Sequence, residues 1–181
     1  MKKVFIYYLL LFTIISCHSK NEKLELEKII FHTDENGCWG PCPEYHLEIS
    51  KSLKTRLWNE KVTYLDTIYP VHDLRNRGDI LDSSKLGYYT GEISVETFQQ
   101  IKDLIEQTRF DTIQNSSDKT NCHDGLTKRI LLYFKGNKRK EILYSCGENW
   151  QLDSLSNLIY SFIDDHHLIK TEKSFYIEDF K

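Results

Sequence analysis

The chain is 181 residues long, 28% charged and 13% aromatic, and its 24 basic and 27 acidic residues leave a formal charge of -3. That length suits one ordinary domain with a core of its own. The aromatic content excludes a disordered chain, and the mild acidity argues against a nucleic-acid partner.

The N-terminus, MKKVFIYYLLLFTIISC, sets Lys2 and Lys3 before an apolar run from Val4 to Ile15. A spanning helix needs roughly 20 apolar residues, so this run reads as a secretory h-region. Ile14-Ile15-Ser16-Cys17 resembles the lipobox of bacterial lipoproteins. The likeness implies a signal peptide over 1–16, cleavage before Cys17, and a Cys17 carrying acyl chains such as palmitate. Two or more chains anchor stably where one does not. Residues 17–25 are then the lipidated cysteine and a polar tether, 26–170 a single domain, and 171–181 a C-terminal tail. His18, rather than Asp, follows the lipidated cysteine and points to the outer membrane, with the domain facing the periplasm or the cell surface.

In chain order, residues 26–33 read as a first strand through Ile29, Ile30 and Phe31. Glu44 to Ser50 alternates, with Tyr45, Leu47 and Ile49 on one face and His46, Glu48 and Ser50 on the other. Thr55 to Glu60 is its hairpin partner, although the turn KSLK lacks the Gly or Asn of a tight hairpin. Val62 to Tyr69 alternates loosely, Pro70 to Ser84 reads as a loop, and Gly87 to Gly91 has strand character. A helix follows Ser94, with Phe98, Ile101, Leu104 and Ile105 as its apolar stripe. Thr127 to Phe134 and Lys140 to Cys146 form a hairpin through Gly136-Asn137. A second helix runs from about Leu152 to Asp165, striped by Leu155, Leu158, Ile159, Phe162 and Ile163. The order strands-helix-hairpin-helix predicts an α+β domain, an antiparallel sheet with two α-helices packed on one face.

Export makes the four other cysteines, Cys38, Cys42, Cys122 and Cys146, candidates for disulfides. Three pairings exist. Cys38 and Cys42 are close in sequence, and a turn at Gly136-Asn137 sets Cys146 opposite Thr127, within reach of Cys122. The favoured bridges are therefore Cys38–Cys42 and Cys122–Cys146.

GCWGPCPEY, residues 37–45, nearly spells a thioredoxin site in another order. Such a site needs two residues between its cysteines and a thiolate at a helix N-terminus. Here three residues intervene, Pro41 and Pro43 disfavour helix, and a strand follows. A metal reading joins His32, Cys38, Cys42 and His46, whose spacing matches no standard zinc pattern. Each histidine alone reads as a solvated strand residue. No G-x-S-x-G or H-E-x-x-H is present, so neither a catalytic residue, a resident metal nor a cofactor is expected.

The segment Gly37 to Tyr45 resembles a family of bacterial exported and lipoprotein domains of unknown function. That family's motif is Cys, aromatic, Gly, any residue, Cys, Pro, any residue and Tyr, followed by a strand. Gly87-x-Tyr89-x-Gly91-x-Ile93-Ser94 is a second similar block, and the likeness runs from about 27 to 165. It implies no activity, ligand or catalytic residue. KSLK and the stretch 61–84 depart from the pattern. The sequence thus points to a membrane-anchored lipoprotein with a non-enzymatic binding or structural role in the envelope. Its partners would be the membrane, through Cys17, and an envelope protein, peptide or polymer, with Trp39 and Tyr45 as the candidate binding surface. The alternatives are a thiol-disulfide redox protein using Cys38 and Cys42, and a zinc- or copper-binding envelope protein.

Overall fold

The computed structural model describes residues 25–34, 44–61, 63–65, 79–81, 83–108, 110, 113, 127–145, 150–164 and 168–178. The elements run β1 (Leu26–Asp34), β2 (Glu44–Ser50), β3 (Lys54–Lys61), β4 (Thr63–Leu65), β5 (Asp79–Leu81), β6 (Gly87–Glu92), α1 (Val95–Gln107), β7 (Thr127–Phe134), β8 (Lys138–Ser145), α2 (Trp150–Asp164) and β9 (Leu168–Thr171). Seven strands form one antiparallel sheet in the order β8-β7-β1-β2-β3-β6-β9, and β4 and β5 pair apart from it. The class is α+β.

β1 lies in the interior of the sheet, and its residues explain why. Ile29, Ile30 and Phe31 are consecutive, so they point to alternate faces, yet none is more than 1% exposed. A strand covered on both sides needs an unbroken apolar run rather than alternation. On one face Ile29, Phe31, Leu47, Ile49, Leu57, Ile130 and Leu132 share a cluster with Phe98, Ile101 and Ile105 of α1 and Leu152, Leu155, Ile159 and Phe162 of α2. On the other, Ile30 and Leu131 form a smaller cluster with Ile177.

Local chemistry sets the boundaries. The Ser94 side chain accepts a hydrogen bond from the Thr97 N–H at 3.0 Å and caps α1. The β2–β3 turn does without glycine by holding Leu53 at φ 67. That conformation costs a leucine about 1 kcal/mol. Two things offset the cost: Leu53 rests against the core, and its carbonyl accepts the Ile93 N–H at 2.9 Å.

Three expectations are corrected. Asp79–Leu81 forms a strand and Ser83–Lys85 one turn of 3-10 helix where a loop was expected. The β7–β8 turn has three residues, with Gly136 at φ 79 and Asn137 at φ 60. Ser145, not Cys146, therefore stands opposite Thr127. A two-residue turn would have shifted the register by one and placed Cys146 there. Finally, the region expected to be a tail begins with the end of β9 and continues as packed structure. Leu168–Thr171 pairs with β6, and Ile177 is buried.

Candidate functional site

The register of four strands builds one row of side chains on the sheet face that carries Ile30. His32 lies opposite His46, His46 opposite Trp58, and Trp58 opposite Tyr88. Ring centroids are 4.0 Å apart for His32–His46, 4.5 Å for His46–Trp58 and 6.0 Å for Trp58–Tyr88. Neighbouring strands sit about 4.8 Å apart. Rings at this spacing, with interplanar angles of 21° and 17° for the last two pairs, stand up from the sheet and stack on one another. Their faces are spent on each other and their edges are left for a ligand. A sugar platform needs free ring faces, so this row is suited instead to polar edge contacts and to an apolar group at its end.

That end is occupied. Phe175 meets Tyr88 edge to face at 5.0 Å and 67°. The next row carries charge: the Arg56 guanidinium binds Glu48 at 2.7 Å and sits 5.4 Å from the Phe175 ring centroid. One step further, the Lys28 ammonium lies 4.1 Å from the Tyr133 ring centroid and 3.4 Å from the Glu178 carboxylate. Arg139 approaches the same carboxylate at 3.6 Å. At the opposite end of the face, His46 Nε2 is 3.1 Å from a Glu60 carboxylate oxygen.

Two pKa directions follow from this arrangement. Burial and then the Glu178 carboxylate push the Tyr133 phenol up to about 12. The Tyr133 hydroxyl, and then Lys28, hold the Glu178 carboxyl below its ordinary 4.5. A lowered folded pKa means stability that is fully present above pH 4.5 and lost as pH falls through the folded value. Glu178 is 40% exposed, so solvent screening keeps the contribution under about 1 kcal/mol. Glu178→Gln is expected to lower stability slightly at pH 7 and to leave it unchanged near pH 3. Urea midpoints of both proteins at the two pH values measure this.

The opposite face is packed around a second polar group. Tyr144 donates to the Leu152 carbonyl at 2.9 Å and pairs with the Ser156 hydroxyl, and burial raises its pKa. Lys128 lies 3.7 Å from Asp153 and 5.1 Å from the Tyr144 ring centroid. Burial lowers the Lys128 pKa and Asp153 opposes the shift. These groups satisfy one another beneath α2.

Of the residues singled out from sequence, Tyr45 is corrected. It is 9% exposed, belongs to the core that α1 and α2 share, and lies 6.3 Å from the Tyr160 ring, so it presents no binding surface. Its period-two partners Leu47 and Ile49 already placed it on that face. The histidines are corrected too. His46 is buried at 7% and His32 half-buried, where solvated positions were expected. Cys17, Cys38, Trp39, Cys42, Cys122 and Cys146 lie outside the described residues. The described residues that flank the segments of Cys38, Cys42, Cys122 and Cys146 lie at one end of the sheet, where Asp34 pairs with Thr127 and Thr127 with Ser145. Among the described residues no group of three or more His, Cys, Asp or Glu could hold a metal, and no helix is long and apolar enough to cross a membrane. Sequence reading missed Trp58, Tyr88 and the 172–178 segment. The first two stand opposite one another only through the register, while Phe175 and Ile177 did alternate in the last residues.

These features define an α+β domain with an antiparallel seven-stranded sheet, two helices and an aromatic row on one of its faces. Residues 28–163 match the family described as Domain of unknown function (DUF6438), and the chain belongs to that family. No curated protein and no solved structure was found to match.

Proposed function

We propose that the protein is a membrane-anchored bacterial lipoprotein whose one domain binds an envelope protein, peptide or polymer without catalysing a reaction. The lipid sits on Cys17 and holds the domain at the outer membrane. α1 and α2 form one layer over one face, in the order strands-helix-hairpin-helix, and the His32–His46–Trp58–Tyr88 face carries the interaction. The observation behind this reading is that row, where four strands contribute ring edges beside Arg56, Lys28 and Arg139. The residues that satisfy each other beneath α2 offer no free acid, base or nucleophile pair as a competing site. Trp39 adds to the binding surface from the β1–β2 connection.

A photo-crosslinking side chain at Thr90, exposed on the row's face, tests the binding role in cells, with Gln99 on α1 as the control. Adducts of higher mass are expected from Thr90. Adducts from Gln99 alone, or from neither, would sink the reading. Anchoring is tested separately: Cys17→Ala should release the domain from the membrane fraction or block its processing, and an unchanged membrane fraction refutes lipidation.

The contact between His32 and His46 favours a second reading, a zinc or copper site completed by Cys38 and Cys42 thiolates. Thiolates ligate metal only when reduced, so one measurement separates the readings. A Cys38–Cys42 bridge that acts as a structural staple should have a reduction potential below roughly -300 mV. A pair reduced far more easily, and active on a model disulfide or binding zinc, would favour redox or metal chemistry instead.

A further inference from the structure

Residues 172–178 cross the aromatic face without regular secondary structure. Their side chains nonetheless alternate as in an extended strand. Phe175 points down onto Tyr88, Tyr176 points up and is 74% exposed, and Ile177 points down and is 4% exposed against Ile30 and Leu131. Glu178 ends the strap between Lys28 and Arg139, at 3.4 and 3.6 Å. The face thus reads three features of an extended peptide: an aromatic ring, an aliphatic side chain two residues on, and a carboxylate next to it.

The two halves of this contact have different standing in the chain. Lys28, Ile30, Arg56, Tyr88, Leu131 and Arg139 all lie within the residues that match the family, 28–163. The strap lies wholly beyond them. The receiving face therefore lies within the family match, and the segment filling it lies C-terminal to that match. Two apolar anchors and one carboxylate must order about seven residues, an entropy cost that leaves little net grip. Tethering supplies what the contacts lack, since a short connection gives an effective concentration on the order of millimolar.

We propose that this face is a docking groove for an extended segment of a partner protein with the pattern aromatic-x-aliphatic-acidic, and that Phe175 to Glu178 occupy it in cis until such a segment displaces them. The inference rests on the binding role assigned above and specifies its partner. Recognition is by the shape of two pockets and by charge, with Lys28 and Arg139 selecting the acidic residue.

The test uses the full chain and a fluorescein-labelled peptide of residues 172–178. Phe175→Ala combined with Ile177→Ala in the protein should loosen the strap and raise peptide affinity at least tenfold over the unaltered chain. A peptide with alanine at both positions should bind neither protein. Glu178→Lys, which sets a third cation between Lys28 and Arg139, should give a smaller gain in the same direction and serves if the double variant does not fold. Equal affinity for altered and unaltered chains, or no binding to a cooperatively folded variant, overturns the proposal. So does a concentration-dependent dimer of the unaltered chain with exchanged straps, since the groove's partner would then be a second copy. Crosslinks from Thr90 without the affinity gain refute the strap but keep the binding role. The affinity gain without crosslinks supports the groove and refutes that role.

Discussion

Phe31→Ala is expected to lower the unfolding free energy by about 3–5 kcal/mol. Phe31 is fully buried near the middle of β1, and its ring meets Tyr160 edge to face at 5.5 Å and 83°. β1 pairs with β2 on one side and β7 on the other, so the hole left by the ring is framed by hydrogen-bonded backbone on both flanks and by α2 above. Such walls cannot collapse into the space, which puts the cost toward the upper part of that range. For a domain of this size the melting temperature should fall on the order of 10 °C. Phe31→Leu keeps most of the volume and should cost under about 1.5 kcal/mol. A loss below about 1 kcal/mol for Phe31→Ala in urea unfolding would mean that Phe31 is not packed as described.

Trp58→Ala should cost about 2–3 kcal/mol, less than a fully buried tryptophan because its ring is only half-covered. It removes both stacks at once, the 4.5 Å contact with His46 and the 6.0 Å contact with Tyr88. Trp58 also packs against the cluster of Ile30, Leu131 and Ile177, so the strap should loosen with it. Trp150→Ala is the matched control. Trp150 is 71% exposed at the start of α2, and its loss should stay within about 0.5 kcal/mol. Comparable costs for the two would mean that the row carries no stabilising contact.

Six of the sheet's seven strands and both helices were legible because each carries its own local signal, while β9 was not. Tyr45, Leu47 and Ile49 alternate, Ser94 precedes an apolar stripe, and Gly136-Asn137 marks a turn. What the local signal could not supply was register. Whether Ser145 or Cys146 faces Thr127 depends on one extra residue in the turn, and no pattern in the flanking strands fixes it. The aromatic row was hidden for the same reason. His32, His46, Trp58 and Tyr88 are separated by 14, 12 and 30 positions and become neighbours only when three strand pairs are aligned. His46 looked solvent-facing because it alternates with apolar residues, but alternation names a face without saying whether that face is covered. His46 is flanked by the His32 and Trp58 rings, 4.0 and 4.5 Å away, which come from other strands. Leu53 shows a different limit. The turn lacked glycine, and the conformation glycine would have supplied was taken by a leucine held through long-range contacts.

β9 has a wider meaning. It pairs with β6 and occupies the sheet margin that the 28–163 region would otherwise leave as an open ladder of unpaired backbone groups, a template for unwanted association. At the other margin β8 carries Lys138, Arg139, Lys140 and Glu141, whose charges discourage such association without any added strand. The family match therefore stops at residue 163, while the sheet it belongs to continues through residues 168–171, so a domain cut at the end of the match would expose β6 as a sheet edge.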